Sequence, residues 1–247
     1  MAELATVYGI HAVEALLTRA PGKVVEMLVS DQRKDQRYLA LLELAATEGV
    51  RVMSADRKKL DDAAGAGAHQ GVVARVKPAQ PLGENELFER ILPSVDVPLL
   101  LILDGVTDPH NLGACMRSAD ALGACAVIVP RDSSATLNAT VRKVACGACE
   151  VLPLVAVTNL ARCMRRLQDS GVWIVGTAGE ATATLTEVDF RGASAIVMGA
   201  EGPGLRRLTR EVCDFLVQIP LIGSVSSLNV SVATGILLYE AMRQRSA

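Results

Sequence analysis

Beyond residue 98 the chain is built from short, uninterrupted apolar stretches separated by segments with helical spacing, and this alternation constrains the fold more than anything else in it. The stretches are Leu99–Leu103, Ala126–Val129, Val151–Leu154, Val172–Gly176, Ala195–Met198 and Val217–Ile219. Between most of them lie helical segments over Leu112–Leu122, Ala139–Ala145, Leu160–Gln168 and Leu205–Val212, with Val230–Arg243 last. Apolar residues at Leu112, Met116, Ala119 and Leu122, and at Val230, Ala233, Leu237 and Ala241, repeat at helical intervals. Strands without polar alternation are apolar on both faces, so they belong to a mostly parallel sheet covered on both sides by the connecting helices. The expected class is α/β.

A different body precedes this one. Residues 78–98 hold four of the ten prolines and carry a charge of −3, which predicts a linker with at most a short helix near Glu86–Ile91. The expected division is therefore 1–77, a linker over 78–98, and 99–247. In the first body VYGIHAVEALLTR predicts a helix, VVEMLVS a strand and YLALLELAATEGV a helix closed by Gly49. VRVMS and QGVVARVKP, on either side of a GAGAH turn, predict two further strands.

Charge and aromatic content restrict the partners. The net charge is −2 and aromatic residues make up only 3%, which disfavours a duplex binder driven by counterion release and a single-strand binder that stacks bases. Recognition of RNA by shape, with a few placed arginines, is left open. The first body mixes six Arg with five Lys, whereas the second has twelve Arg and only Lys143, and the planar guanidinium fork suits bidentate contacts with phosphate. The start of the chain lacks the pattern of a secretory leader, and VPLLLIL at 97–103 is far shorter than the ~20 residues that span a bilayer. The expectation is a cytoplasmic protein with reduced thiols and no membrane association.

In open α/β sheets ligands bind beyond the carboxyl ends of the strands, so the loops at 103–123, 196–208 and 218–235 are the places to look. The first loop reads DGVTDPHN where a dinucleotide-binding sheet would carry G-x-G-x-x-G, and neither a Walker A sequence nor a G-x-S-x-G elbow occurs. Glycines instead gather late, at Gly199, Gly202 and Gly204 around Glu201, followed by a Ser-Ser-Leu-Asn turn into the last helix. Such loops let backbone approach a ligand closely.

DPHNLGACMRSA, MGAEGPGL and IPLIGSVSSLNVSVATGILLYE together resemble the three ordered motifs of the SpoU/TrmH branch of the SPOUT RNA 2′-O-ribose methyltransferases. VYGIHAVEALL and AHQGVVARV resemble a ribosomal-protein L30e-like RNA-binding domain that precedes the catalytic domain in one subgroup. The resemblance implies a small N-terminal α/β RNA-binding domain joined by a linker to a C-terminal SPOUT α/β domain with a parallel sheet and a deep trefoil knot. It further implies S-adenosylmethionine as cofactor, a homodimer through the catalytic domain, no metal, and methylation of a guanosine in the peptidyl-transferase loop of 23S ribosomal RNA. Two alternatives are a methyltransferase acting on tRNA and a non-catalytic ribosome-assembly factor. The motifs map cofactor contacts onto Gly199, Ile219 and Leu228, and catalytic or ribose-facing roles onto Asn111, Arg117, Glu201, Ser227 and Asn229. Two of these have structural readings beside the functional one: Glu201 as a loop carboxylate taking backbone amides, and Asn229 as the N-cap of the last helix.

Other residues are set aside. Cys146 and Cys149 have metal-ligand spacing but no second pair, and are expected to be buried free thiols. His11, His69 and His110 are too scattered for a metal cluster, with His110 packing at a helix entry or serving catalysis. Arg162, Arg165 and Arg166 share a helix face, which is either solvated or an RNA contact.

Overall fold

A computed structural model describes residues 4–65 and 68–246; Ala66 and Gly67 of the GAGAH turn lie outside the described residues. The chain divides into two units, Met1–Ala79 with Cys146–Val151, and Gln80–Ala145 with Leu152–Ala247.

The first unit is a mixed four-stranded sheet with helices. Its elements are β1 (Ala5–Tyr8), α1 (Ile10–Arg19), β2 (Val24–Ser30), α2 (Gln36–Thr47), β3 (Val52–Ala55), α3 (Arg57–Ala64) and β4 (Val72–Val76). The strand order is β1-β4-β2-β3, antiparallel except for the parallel β2–β3 pair. Val13, Leu17, Met27, Ala45, Val72, Ala74 and Val76 are fully buried between helices and sheet. Asp35 and Asp56 start α2 and α3 by accepting the backbone N–H three residues on, at Tyr38 and Lys59. One expectation fails here. The helix expected from Val7 begins only at Ile10, because Ala5–Tyr8 pairs with β4 and Gly9, at φ +90°, turns the chain between strand and helix.

The second unit opens with a short helix α4 (Glu84–Glu86) that continues through a wider turn over Leu87–Ile91. It then runs β5 (Leu99–Asp104), α5 (Pro109–Ala121), β6 (Ala126–Pro130) and α6 (Ala139–Val144). The four-residue α7 (Ala148–Val151) belongs to the first unit. There follow β7 (Leu154–Val157), α8 (Leu160–Asp169), β8 (Trp173–Thr177), β9 (Ala183–Thr184), β10 (Ser194–Gly199), α9 (Arg207–Val212), β11 (Phe215–Gln218) and α10 (Val230–Arg245). The sheet order is β7-β6-β5-β10-β8-β11-β9, and every neighbouring pair is parallel. All six residues of β5 are buried, as a strand covered on both faces requires.

Two sequence expectations shift in this unit. The third strand of the series begins at Leu154 instead of Val151, because Pro153 has no N–H for a ladder and Val151 closes a helical turn. The stretch expected to be a linker is largely packed: Leu87 and Ile91 are buried in the core of the second unit, and Leu82 exchanges backbone hydrogen bonds with Leu154 and Ala156. Its prolines bend the chain without freeing it.

Two helices matter most for the site. Gly113 lets α5 press on α6, since a Cβ there would sit 2.8 Å from the Val144 Cβ and 2.9 Å from the Val141 carbonyl oxygen. α10 packs against α5 and β10, and its Thr234, Leu237, Leu238 and Ala241 are fully buried; truncating either leucine to alanine would cost about 2–5 kcal/mol. At its far end Arg245 donates to the carbonyls of Val97, Pro98, Phe190 and Gly192 and to the Ser194 hydroxyl, fixing α10 to the amino-terminal edge of the sheet.

Candidate active site

Three loops converge at the carboxyl ends of β5, β10 and β11. β5 ends in Asp104, which is completely buried, and Gly105 at φ +87° turns the chain away. Asp108 caps α5 by accepting the His110 N–H at 3.0 Å, and Pro109 occupies the first helical position. Asn111 therefore stands in the first turn of α5, pointing to the loop end of the sheet, and is buried.

The second loop is a tight reversal. Ala200 and Gly204 exchange both backbone hydrogen bonds, at 3.1 and 3.0 Å. A Cβ on Gly199 would fall 2.2 Å from the Gly204 carbonyl carbon, so only glycine can stand where the loop crosses back over its own start. The far side is tied down by Arg206, whose backbone N–H and guanidinium both donate to the Asp104 carboxylate, at 3.0 Å and 2.6 Å. Neither Asp104 nor Arg206 was among the residues nominated from sequence. A charged residue ending an otherwise apolar strand, LLLILD, was the signal that could have marked Asp104.

The third loop, 219–229, delivers Asn229. Its Oδ1 accepts the Ser231 N–H at 2.9 Å, so it is the N-cap of α10. Its Nδ2 donates to Glu201 Oε1 at 2.8 Å and to Asn111 Oδ1 at 2.9 Å, while Asn111 Nδ2 donates to the same Glu201 oxygen at 3.1 Å. The N-cap reading of Asn229 holds, and the same side chain joins Asn111 and Glu201 in one hydrogen-bonded cluster. Glu201 is held by side-chain amides from two other loops, and among the described residues no backbone amide binds it.

This triad borders a cavity of about 680 Å³ at the ends of β8, β10 and β11. Of the nominated residues, Gly199, Glu201, Ile219, Ser227, Leu228 and Asn229 line it. Asn111 joins through the triad. Arg117 lies two turns along α5 from the loop end, exposed to solvent, and is not part of the lining. The walls combine apolar side chains, such as Met198, Val217 and Ile219, with loop backbone. Beneath the triad, burial pushes the Cys115 thiol up to about 11, only partly offset by its contact with Thr234, and the nearby Glu201 charge adds to the rise. At that value the sulfur is protonated at neutral pH.

The cysteine expectation needs correcting at one position. Cys146 is exposed, at φ +50° in a turn, whereas Cys149 is buried. Among the described residues no group of three or more His, Cys, Asp or Glu could hold a metal ion, and no helix is long and apolar enough to cross a membrane. His110 is exposed, and its backbone N–H is held by the Asp108 cap.

Residues 98–239 match the SpoU rRNA methylase family, and residues 6–82 match the substrate-binding domain of RNA 2′-O ribose methyltransferases. The chain belongs to the SpoU rRNA methylase family. It is 61% identical over 246 residues to the 23S rRNA (guanosine-2′-O-)-methyltransferase RlmB of Pseudomonas aeruginosa, covering 100% of this chain and 99% of that one. It is 60% identical over 240 residues to RlmB of Escherichia coli, covering 97% and 98%. Among solved structures it resembles the SpoU methyltransferase AviRb of Streptomyces viridochromogenes, crystallised with its cofactor AdoMet, at 28% identity and a TM-score of 0.71, over 98% of this chain and 91% of that one.

Proposed function

We propose that this protein transfers a methyl group from S-adenosylmethionine to the ribose 2′-hydroxyl of a guanosine in 23S ribosomal RNA, in the peptidyl-transferase loop. The observation that carries the chemistry is the Asn111–Glu201–Asn229 triad at the mouth of a glycine-lined cavity. The choice of nucleotide rests on the full-length likeness to the RlmB relatives.

The cavity suits the cofactor. Its volume of about 680 Å³ falls within the ordinary range for small-molecule sites. Close loop backbone and apolar walls fit adenosine, and the Glu201 carboxylate favours a nearby positive sulfonium. The backbone of Gly199, Ile219 and Leu228 would hold the adenine and methionine moieties. When bound, the cofactor supplies an electrophilic methyl group. Asn111, Ser227, Asn229 and Glu201 orient the ribose so that its 2′-oxygen attacks in line, and holding that alignment is the larger part of the rate gain. Arg117 binds a substrate phosphate and lowers the pKa of the hydroxyl, whose proton passes to water or to that phosphate. A guanidinium holds its proton firmly at neutral pH, which argues against Arg117 as the general base.

The same reading extends to assembly. Val232 and Tyr239, seven residues apart on the outer face of α10, are exposed and would form the centre of a homodimer interface through the catalytic domain. The chain is proposed to form a trefoil knot, with its last segment threaded through the loop after β10. The tight approach of Gly199 to Gly204 and the return of 219–229 to the same cavity support that path. The first body, 1–77, would be an L30e-like domain recognising RNA in the cytoplasm, with 99–247 catalytic. Mapping 2′-O-methyl sites in 23S rRNA from cells lacking the protein tests the assignment. Loss of one guanosine signal in the peptidyl-transferase loop is expected, and an unchanged map overturns it.

A further inference from the structure

A second cleft, of about 490 Å³, opens at the carboxyl ends of β6 and β7, on the same edge of the sheet as the catalytic cavity. Arg131, just past β6, lines it together with Arg162 and Arg166 of α8. The acids at the cleft are Glu84 and Glu86. Glu86 is occupied by the Gly83 N–H at 3.0 Å, closing the first turn of α4. Glu84 is the counter-ion of both α8 arginines, at 3.2 Å from Arg162 and 3.4 Å from Arg166. Arg166 also lies 3.9 Å over the Phe88 ring, which holds its plane in place. Among the described residues the Arg131 side chain has no ion-pair or hydrogen-bond partner. The cleft is thus a set of three guanidinium forks with one acid between two of them, and Thr158 at the entry to α8 adds the positive end of a ten-residue helix.

We propose that this cleft binds a backbone phosphate of the ribosomal RNA strand whose ribose enters the catalytic cavity. The inference rests on the proposed RNA methyltransferase function and adds a second contact to it. Arginine forks match phosphate oxygens in pairs, and an exposed unpaired fork lining the same cleft as a buttressed one suits such a group. Position supports the same occupant. From β10 to β7 the sheet takes three strand steps, a distance of about 14 Å, so the cleft meets the backbone about four stacked nucleotides from the target. Glu84 holds Arg162 and Arg166 in place before RNA arrives and competes with the phosphate for them. The contact is to backbone alone, so it sets the register of the strand and leaves base choice to other surfaces.

The test uses the full-length protein and a 23S rRNA fragment containing the peptidyl-transferase loop, with binding measured by fluorescence anisotropy across a salt series and turnover measured in parallel. Arg131→Glu should raise the Kd and KM for RNA roughly tenfold or more while kcat at saturating RNA stays unchanged. Arg131→Ala should reduce the slope of log K against log salt by about 0.7–0.9. Glu84→Gln, which frees both α8 arginines, should tighten binding. Affinity and slope left at the wild-type values in both Arg131 variants overturn the cleft and leave the methyltransferase reading intact. If the wild-type protein does not methylate the fragment, that reading fails by itself, and the cleft then stands or falls on the salt slope alone.

Discussion

Asp104 and Arg206, 102 residues apart, form an ion pair in which the carboxylate is completely buried and the guanidinium half-exposed. The pair joins the end of β5 to the loop that carries Glu201, so it fixes the separation between Asn111 and Glu201 from behind. Arg206→Ala would strand a buried carboxylate. The expected loss is at least ~2 kcal/mol of stability, less than for a fully buried pair because water reaches the arginine side. Asp104→Asn keeps the shape and one acceptor, so it should fold better and still lose turnover through a displaced Glu201. Thermal melts with single-turnover assays check both, and an Arg206→Ala protein with unchanged melting and rate would remove the clamp from the account.

Gly199 and Gly202 differ in why they are glycine. At Gly199 any side chain collides with the Gly204–Leu205 backbone, whereas Gly202 has open space and only a left-handed backbone, at φ +85°. Gly199→Ala should therefore open the loop and weaken S-adenosylmethionine binding more than tenfold by calorimetry, while Gly202→Ala costs about 1 kcal/mol of strain and binds nearly normally. Equal effects from the two changes would contradict the crossing of Gly199 by Gly204.

Much of this could be read before any coordinates. The β–α alternation beyond residue 98 gives the parallel sheet, because strands apolar on both faces leave few other arrangements. The first strand escaped notice because Ala5–Tyr8 runs directly into the apolar spacing of α1, and only the backbone of Gly9 separates them. The two-residue β9 carries no pattern to find. In the supposed linker, Leu82, Leu87 and Ile91 were visible as apolar residues, but four prolines argued for loose chain where they mark packed bends. The site divides differently. Asn111, Glu201 and Asn229 came from motif resemblance, and their meeting at one carboxylate oxygen depends on how three distant loops are folded together, which spacing does not encode.

Glu240, on the buried side of α10, gives a pH signature. Two hydrogen bonds from Arg243 and one from Gln244, all at 2.8 Å, lower its carboxyl from the ordinary 4.5 to about 2, against the opposing effect of burial. A depressed carboxyl stabilises the fold fully above its unfolded value and loses that contribution as pH falls toward the folded one. The protein should lose stability between about pH 5 and pH 2 through this group. Glu240→Gln should melt lower at pH 7, by roughly 3 °C for about 1 kcal/mol, with Arg243 more than half exposed and therefore screened. The gap between variant and wild type should close toward pH 2. A gap constant across that range would show that Glu240 acts by packing and not by charge.

Arg117 decides between two accounts of how the ribose hydroxyl loses its proton. As a phosphate-bound orienter it needs the planar fork and never gives up its charge, so Arg117→Lys should lower kcat at least tenfold and leave the shape of the pH–rate profile unchanged. As a general base it would pass that role to an amine of ordinary pKa near 10.4, and the alkaline limb of the profile would move down with near-normal turnover. Glu201→Ala provides the comparison. It leaves the Asn111 and Asn229 amides without their shared acceptor, and misalignment of that size costs about a hundredfold in rate with no change in the pH profile. A profile that shifts in Arg117→Lys and not in Glu201→Ala would assign the proton to Arg117 and displace the orienting role.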